Sequence, residues 1–453
     1  MSTRRMKMGA KEWLQRNARI RTGKNTLFTE PKIHWSAITL ATWLAATALT
    51  HYPQNIPMVI SDLASAITIA VMASLALRRK DPHFDTGVQW VSALIAAWLM
   101  FAPLVFWTKS PVAYMTDNLA ATLLVLCYWI IPHARDTSSD IAQTPPGWDY
   151  NPSDWWQRVP LMALALIGYF IARYLACAQL GYTGPAWDPV FHDGTEKILH
   201  SDVSKAFIIS DAGLGAVSYL IDALACIIGN RARWQTMPWM VLLFSFLVIP
   251  PGVVSIVLVI LQPVAVGNWC FLCLVAAFNM LFMVPFALDE TVATCQYLQR
   301  AKQAGHGYLK TACLGTKLYA DRIDSGKINE SENQITSSEV VPPLGLVVSM
   351  FVSASVLAVP HFFAVTGPAA INCYVVGALC MTFSVMAFAE VCRTLRLINP
   401  LLCTWLLASI IFLPGYTNMS ASTLCVAAIV ISVCSLRKGK IMHRYGSFNK
   451  FIH

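Results

Sequence analysis

The stretch Gly267-Asn268-Trp269-Cys270-Phe271-Leu272-Cys273 opens an apolar run that extends to about Leu288. Two cysteines at this spacing at the start of a helix lie one turn apart and are able to form a disulfide, and the helix N-terminus lowers the pKa of a thiol there. Because the apolar run is long enough to span a membrane, the pair is predicted at a membrane surface, within reach of a lipid-soluble electron carrier. The alternative is two packing cysteines at helical spacing, and the surrounding residues decide between these interpretations.

The composition defines the class of protein. Hydrophobic residues make up 56% of the chain and charged residues only 13%, with a mean hydropathy of +0.54. A soluble domain of this size does not have such a composition. The prediction is an all-α, polytopic helical membrane protein with about twelve transmembrane helices. The net charge of +9 is then expected in cytoplasmic loops and not at a nucleic-acid interface.

The predicted spans fall into three groups of four. They cover about 35–50, 57–77, 88–108, 112–132, 158–178, 207–228, 237–261, 268–288, 344–364, 369–389, 398–414 and 418–436. The corresponding domains are a basic cytoplasmic tail (1–33), membrane hairpins (34–133), a four-helix domain (158–290), a cytoplasmic linker (291–341), further hairpins (342–436) and a basic tail (437–453). The loop at 133–157 contains Trp148, Trp155 and Trp156, which suit an interfacial aromatic belt.

Lysine and arginine predict the orientation. Basic residues cluster in both tails, at Arg78-Arg79-Lys80 and in the 291–327 segment, and all of these fall on one side if the helices alternate. The positive-inside rule therefore predicts an inner-membrane, multi-pass protein with both termini in the cytoplasm. This orientation places Cys270 and Cys273 at the outer face, where disulfides persist.

The hairpin regions share a short pattern. A tryptophan near the end of one helix, followed by a proline, recurs at Trp43, Trp98 and Trp405, and polar residues including Asp62 and Asp117-Asn118 begin the helices that follow the first two. The pattern resembles the SPW-repeat membrane hairpin, although no copy here contains Ser-Pro-Trp.

The central four helices resemble the vitamin K epoxide reductase family of quinone-linked thiol oxidoreductases. The most specific part of the resemblance is G-V-V-S-I-V-L-V-I-L-Q-P-V-A-V-G-N-W-C-F-L-C-L-V-A-A, Gly252 to Ala277. There a helix, a very short outer turn and a W-C-x-x-C follow one another as in that family. Further support comes from Ile198-Leu199-His200-Ser201 and from Gly213-Leu214-Gly215 before Tyr219.

This resemblance implies a four-helix bundle around a quinone of the ubiquinone or menaquinone type. It implies that Cys270, nearer the surface, exchanges disulfides with an extracytoplasmic, thioredoxin-like partner, and that Cys273, one turn deeper, passes electrons to the quinone. Phe271 and Phe278, with Leu272 and Met280, are the expected apolar pocket residues. Ser210 and Asp211 either cap the following helix or contact a quinone carbonyl.

One feature departs from the family. Its members usually carry two shuttle cysteines in the outer loop, but the loop from Gly181 to Ala206 contains none, and Cys177 just before it stands alone. Either a partner thiol reaches Cys270 directly, or the module has lost its redox relay. The alternative function is a non-catalytic membrane scaffold with a degenerate reductase bundle.

Other polar and thiol side chains have two interpretations each. Asp222 lies inside an apolar span, where it either contributes to interhelical structure, the favoured interpretation, or delivers protons to a quinone. Cys373 either packs in a helix end or pairs with Cys177.

The loop's polar residues fit a folded outer cap better than a metal site, because their spacing matches no standard ligand pattern. These loop residues are Asp188, His192, Asp193, Glu196, His200 and Asp202. The cysteines predicted to serve only in packing are Cys127, Cys226, Cys380, Cys403, Cys425 and Cys434.

Overall fold

The computed structural model describes residues 31–79, 81–131, 144–206, 208–315 and 342–452. The predicted N-terminal tail up to residue 30 and the Ser-rich part of the linker lie outside these ranges. The described residues contain helices and turns but no strand, apart from one isolated bridge between Trp148 and Tyr445. The predicted fold class is therefore confirmed: the chain is an all-α, multi-pass membrane protein.

Twelve long helices lie in the described ranges, and each predicted span falls on one of them. They are α1 (Pro31–His51), α2 (Ile56–Arg79), α3 (Pro82–Val105), α4 (Pro111–Val125), α5 (Trp155–Gln179), α6 (Asp211–Ile227), α7 (Pro238–Leu261), α8 (Phe271–Gln303), α9 (Leu344–Phe362), α10 (Gly367–Met386), α11 (Ile398–Phe412) and α12 (Asn418–Leu436). Ten helical segments are long and apolar enough to cross a membrane. The two remaining helices are α1, with 21 residues, and α6, with 17.

Local signals set several of the helix ends. Ser110 caps α4, accepting a hydrogen bond from the backbone N–H of Ala113, and Pro111 occupies the first turn, where its missing N–H costs nothing. Thr417 and Ser420 form a reciprocal capping box at the start of α12. Two helices end in a single π-turn, α4 at Leu126–Ile130 and α7 at Gln262–Val266.

The chain forms two compact units, Met1–Ser138 and Ser139–His453. In the first, helices α1–α4 form the N-terminal unit, in which α1 packs on α2 and α3 on α4. The indole N–H of Trp98 on α3 donates to the Ser61 hydroxyl on α2 at 2.8 Å, which ties one hairpin to the other. In each of these two pairs a short connection joins the helices, whereas their relation to the SPW repeat stays a prediction.

The second unit contains two further helical groups. Helices α5–α8 surround a cavity and are called the redox bundle below. Helices α9–α12 pack together through a buried apolar cluster that includes Val356, Cys373, Leu406 and Leu424. Helix α10 contacts both α7 and α8, so the two groups share one packed interior.

Helix α8 is longer than the sequence indicated. The predicted span ends near residue 288, but the helix continues to Gln303 and is followed by a short helix at Tyr308–Leu314. The beginning of the predicted linker is therefore folded. The segment remains helical beyond residue 288 because its apolar side chains pack against neighbouring segments. Tyr297 and Leu298, for example, bury against Trp234.

Three segments meet at this end of α8 in a layer that the sequence analysis did not anticipate. The Trp148 indole N–H donates to Gln296 on α8 at 3.0 Å, and the Tyr150 hydroxyl donates to Asp289 at 2.8 Å. From the C-terminal segment, the Tyr445 hydroxyl donates to Glu390 at 3.1 Å. Trp148 is buried here, which corrects its predicted place in an interfacial belt, whereas Trp155 and Trp156 are exposed.

Candidate functional site

The C-x-x-C sequence forms a tight turn between α7 and α8. Gly267 follows the π-turn with φ of 70°, a left-handed conformation that glycine adopts without a steric cost. Cys270 occupies the N-cap position of α8, and its sulfur accepts a hydrogen bond from the backbone N–H of Cys273 at 3.1 Å. Cys270 and Cys273 are joined by a disulfide. The two cysteines are therefore covalently paired in this structure, and their redox role stays a prediction.

Cys270 is fully buried. Its backbone N–H donates to the Gln262 side-chain oxygen at 3.0 Å, and its side chain packs in a cluster with Leu175, Ile198 and Leu199. The resemblance implied a Cys270 near the surface and a deeper Cys273. In the structure Cys270 has no exposed area, whereas Cys273 is partly exposed. The reason is that the outer loop folds over the turn and covers Cys270.

This loop, residues 181–206, is called the cap below. The Asp188 carboxylate fixes the cap to the C-x-x-C turn, accepting hydrogen bonds from the backbone N–H of Phe271 at 3.3 Å and from the Thr195 hydroxyl at 2.6 Å. Gly194 lies directly against the Trp269 carbonyl, where a side chain would collide with backbone. The Asp188 carboxylate and the close contact between Gly194 and the Trp269 backbone therefore hold the cap on the turn.

Hydrogen bonding also sets the ionisation of Asp188. Partial burial raises the pKa of its carboxyl, but the hydrogen bonds from Thr195, Phe191, Val190 and Phe271 outweigh that effect and bring the pKa below its ordinary value. Asp188 is therefore ionised at neutral pH, the form that accepts these hydrogen bonds.

Four further polar residues of the cap form two pairs. Lys197 pairs with Asp193 at 2.9 Å, and His200 approaches Glu196 at 3.3 Å, both one helical turn apart. Over the described ranges, no three His, Cys, Asp or Glu side chains are grouped so that they could hold a metal ion. These contacts are those of a folded cap.

An apolar cavity of about 380 Å³ lies inside the redox bundle, with Cys273 in its wall. All four helices and the end of the cap contribute to it, and small residues such as Gly215, Ala276 and Ala277 leave the space open. Few polar side chains reach it; Asp211, Gln262 and Tyr219 are among them. A cavity of this volume and polarity is typical of a site for a small apolar ligand.

Two consecutive prolines shape the wall formed by α7. Pro250 and Pro251 lack backbone N–H groups, so the carbonyls of Phe246 and Leu247, one turn earlier, have no proline N–H to accept from. All four residues line the cavity.

The predicted cofactor-binding residues divide into two groups. Asp211 lines the cavity, and so does Met280. Ser210 does not: it caps α6, accepting from the Gly213 N–H at 2.9 Å and donating to Gln179. Ser210 therefore follows the capping interpretation.

Both predicted phenylalanines also lie outside the cavity wall. The Phe271 ring packs edge-on against Trp187 of the cap, with the ring centroids 6.4 Å apart. The Phe278 ring packs against Phe282 at 4.7 Å and is 39% exposed. The expected pocket role is corrected for both because the rotation of α8 directs Cys273, Ala276, Ala277 and Met280 inward instead.

Tyr219 is a cavity residue that the sequence analysis used only as support for the resemblance. Its hydroxyl donates to the Ala276 carbonyl at 2.7 Å, one turn below Cys273, and its ring lies flat against Gly168 of α5. A glycine opposite a large aromatic residue on a neighbouring helix is the only sequence signal for this contact.

Asp222 is buried one turn beyond the cavity-lining Ser218 and Tyr219. Neither carboxyl oxygen has a hydrogen-bond partner among the described residues. The favoured prediction, an interhelical structural contact, is therefore not supported by a hydrogen bond. Cys177 and Cys373 are both free thiols, so the alternative pairing between them is absent from this structure.

Comparison with known proteins places this geometry in a family context. Residues 159–288, which include α5 to α7 and the first half of α8, match the model of the vitamin K epoxide reductase family. The match covers neither hairpin region. No curated protein and no solved structure matches the chain. The redox bundle is thus similar to the vitamin K epoxide reductase family, a family of oxidoreductases, and lies within a larger multi-pass membrane protein.

Proposed function

We propose that the protein is a membrane thiol–disulfide oxidoreductase in which the Cys270–Cys273 pair exchanges electrons between a partner thiol protein and a quinone. One observation carries the proposal: the disulfide closes a turn whose second cysteine forms part of the wall of a large apolar cavity. A pair of packing cysteines has no need of such a cavity. The family match over the same residues supports the same chemistry.

The cavity suits a quinone of the ubiquinone or menaquinone type. Its volume falls within the range of about 300–1,000 Å³ that small-molecule sites occupy. A quinone accepts two electrons and two protons, which is what the reduced cysteine pair gives up on forming its disulfide. Beside Cys273, the side chains of Asp211 and Gln262 supply polar groups that orient a ring otherwise held by apolar contacts.

The role of Cys270 follows from its thiol chemistry and its cover. A thiolate attacks a disulfide through a mixed-disulfide intermediate and must be accessible to do so. Because the cap buries Cys270, exchange with a partner requires the cap to move away from the turn. Trp187 lies on the cap, is 61% exposed and packs on Phe271 of the turn. A partner that binds to Trp187 would therefore act on the contact between the cap and the turn.

The partner and its location come from the loop composition and the charges. The cap contains no cysteine, so electrons enter at Cys270 directly from a separate, thioredoxin-like protein. The distribution of lysine and arginine assigns both termini to the cytoplasm and the C-x-x-C to the outer face of an inner membrane. The SPW-like hairpins flank this module on both sides.

A second candidate function is a membrane scaffold with a degenerate reductase bundle. Two observations favour it: the missing shuttle cysteines and the complete burial of Cys270. This alternative predicts that the disulfide is permanent and that the cytoplasmic segments recruit a soluble partner.

Trapping of a mixed disulfide separates the two functions. In a Cys273→Ala variant the resolving thiol is gone, so Cys270 should accumulate a covalent adduct with its partner in native membranes. Non-reducing electrophoresis and mass spectrometry would identify the adduct, and Cys177→Ser in the same background is the control. Recovery of the variant with no adduct would favour the scaffold, and an adduct through Cys177 would reassign the entry point.

A further inference from the structure

The N-terminal unit contains ionisable side chains that the proposed redox function does not use. Each of its four helices buries one: His34 on α1, Asp62 on α2, Asp85 on α3 and Asp117 on α4. None of the four is more than 3% exposed. Ionisable groups within membrane helices are costly, and they mark ion or proton pathways when they face the interior of a bundle.

One group forms a cluster at the end of the unit where α1 leads into α2. The Tyr52 hydroxyl donates to one oxygen of Asp62 at 2.7 Å, and the other oxygen of Asp62 has no partner among the described residues. Neither oxygen of Asp117 has one either. Met58 on α2 and Ala113 on α4 pack together, and Asp62 and Asp117 follow them by one helical turn. The two carboxyls are therefore close enough to interact electrostatically.

The physical consequence is a proton-binding pair. Two carboxylates that are close together and buried cannot both be ionised without a counter-charge, so the pair retains at least one proton. A structural role would require hydrogen bonds, and Asp117 makes none among the described residues. Its burial therefore calls for another explanation.

A second group lies at the opposite end of the unit. One ring nitrogen of His34 lies 3.2 Å from the Tyr128 hydroxyl, and the other lies 3.7 Å from an oxygen of Asp85. A histidine bridging a phenol and a carboxyl can take a proton on one side and release it on the other. His34 lies near the start of α1 and Tyr52 directly follows its end, so about 27 Å separates them at the helical rise, close to the ~30 Å thickness of the hydrocarbon layer.

Polar side chains lie between the two clusters. Ser65, Gln89, Ser92 and Asn118 are all buried inside the unit. A small cavity of about 10 Å³, lined by Ser92, Tyr128 and five apolar side chains, has the minimum volume for one water molecule.

We propose that the N-terminal unit conducts protons between its two ends, with Asp62 and Asp117 as one proton-binding station and His34 and Asp85 as the other. A proton enters from solution at one end, moves through the buried side chains and water, and leaves at the other end. No group is oxidised or reduced, and the electrochemical proton gradient supplies the driving force. The inference is independent of the redox function, because it uses no residue of the second unit.

Proton flux into liposomes tests the proposal directly. The full-length protein is reconstituted with a trapped pH-sensitive dye, and a potassium diffusion potential is imposed. We expect wild-type flux well above that of empty liposomes, and at least a tenfold decrease in Asp117→Asn and in Asp62→Asn. The matched control is Asp222→Asn, which removes an equally buried carboxyl from the other unit and should leave the flux unchanged.

Each outcome decides for or against the proposal. Monodisperse size-exclusion profiles and an intact Cys270–Cys273 disulfide would show that the variants are folded. Wild-type flux equal to that of empty liposomes, or equal flux in wild-type and Asp117→Asn protein, would overturn the inference. A cation flux that follows a sodium gradient at constant pH would show that the unit conducts a monovalent cation instead of protons. That result would also overturn the inference.

Discussion

The N-terminal unit and the redox bundle are both groups of four membrane helices, but their interiors differ. The redox bundle encloses about 380 Å³ of apolar space and has a disulfide at one end. A cavity within the N-terminal unit measures only about 10 Å³, and the interior of this unit is occupied by carboxyls, a histidine and tyrosines. The first interior has room for a ligand, whereas the second is filled by the chain's own side chains, several of which are ionisable.

Residue size and helix breaks explain this difference. In the redox bundle, small glycine and alanine side chains on α6 and α8 face the part of α7 that contains Pro250 and Pro251, so the space between the helices is not filled. In the N-terminal unit, large side chains such as Tyr114, Met58 and Leu99 are fully buried and fill it. Substitutions in one interior should therefore leave the function of the other intact.

The largest expected effect is the loss of the cysteine pair. Cys270→Ser or Cys273→Ala should reduce quinone-dependent dithiol oxidation at least about 1,000-fold, because neither thiol alone can form the internal disulfide. Quinone reduction in purified protein, followed by absorbance, is the measurement. Asp117→Asn should retain full activity in the same assay, and an equal loss in that variant would contradict the separation of the two interiors.

Loosening the cap should produce the next largest effect. Asp188→Asn replaces a charged acceptor of several hydrogen bonds, worth about 1.5–3 kcal/mol, so cap opening should increase on the order of 10- to 100-fold. The readout is the rate at which Cys270 reacts with a maleimide after reduction of the disulfide. Asp193→Asn is the control, since that exposed carboxyl pairs with Lys197, four residues further on in the cap itself. A labelling rate that does not differ between the two variants would show that Asp188 does not hold the cap.

Acid should act on the same contact. The pKa of Asp188 is lower with the cap closed than in a free carboxyl, so its stabilisation is fully present above about pH 4 and is lost as the pH falls through the lowered value. Hydrogen exchange of the Phe271 amide should remain protected at neutral pH and become faster only in that acidic range. Loss of protection near pH 6 would point to a histidine instead.

Two adjacent residues of α8 test the shape of the cavity. Ala277→Phe should fill part of it and raise the quinone KM about tenfold, because the added ring occupies space that the ligand needs. Phe278→Ala, one residue further, should change the KM by less than about twofold because Phe278 faces away from the cavity. The reverse pattern would restore Phe278 to the pocket role that the sequence suggested.

The smallest expected effect concerns stability in the N-terminal unit. Asp117→Asn replaces a buried, unpartnered carboxyl with an amide of the same shape, so the free energy of unfolding should change by less than about 1 kcal/mol. Thermal unfolding in detergent is the measurement. A loss of several kcal/mol would show that Asp117 holds the helices together and is not retained for proton binding.

The sequence predicted the helices well because a membrane demands long apolar runs separated by charged loops. All twelve spans fall on helices, and α12 agrees at both ends. The cysteine turn was also predictable, since its spacing and the short turn before it are local features.

The parts that could not be predicted depend on how the helices rotate and on long-range contacts. Within an apolar helix, Phe271, Phe278 and Met280 are equivalent in the sequence, and only the packing of α8 decides which of them faces the cavity. The burial of Cys270 depends on the cap, which Asp188 anchors from more than 80 positions away in the chain. The pairing of Trp148 with Gln296 of α8 is of the same kind, since 148 positions separate the two residues.

Electron transfer from the Cys270–Cys273 pair to quinone is tested by the redox state of the pair in the presence and absence of quinone. Purified protein is reduced, freed of reductant, incubated with or without a quinone under anaerobic conditions and then trapped with a mass-shifting maleimide. The account predicts free thiols without quinone, and a re-formed Cys270–Cys273 disulfide with one quinol produced per disulfide when quinone is added. Thiols that remain reduced in the presence of quinone, in a protein whose cavity binds it, would contradict the account.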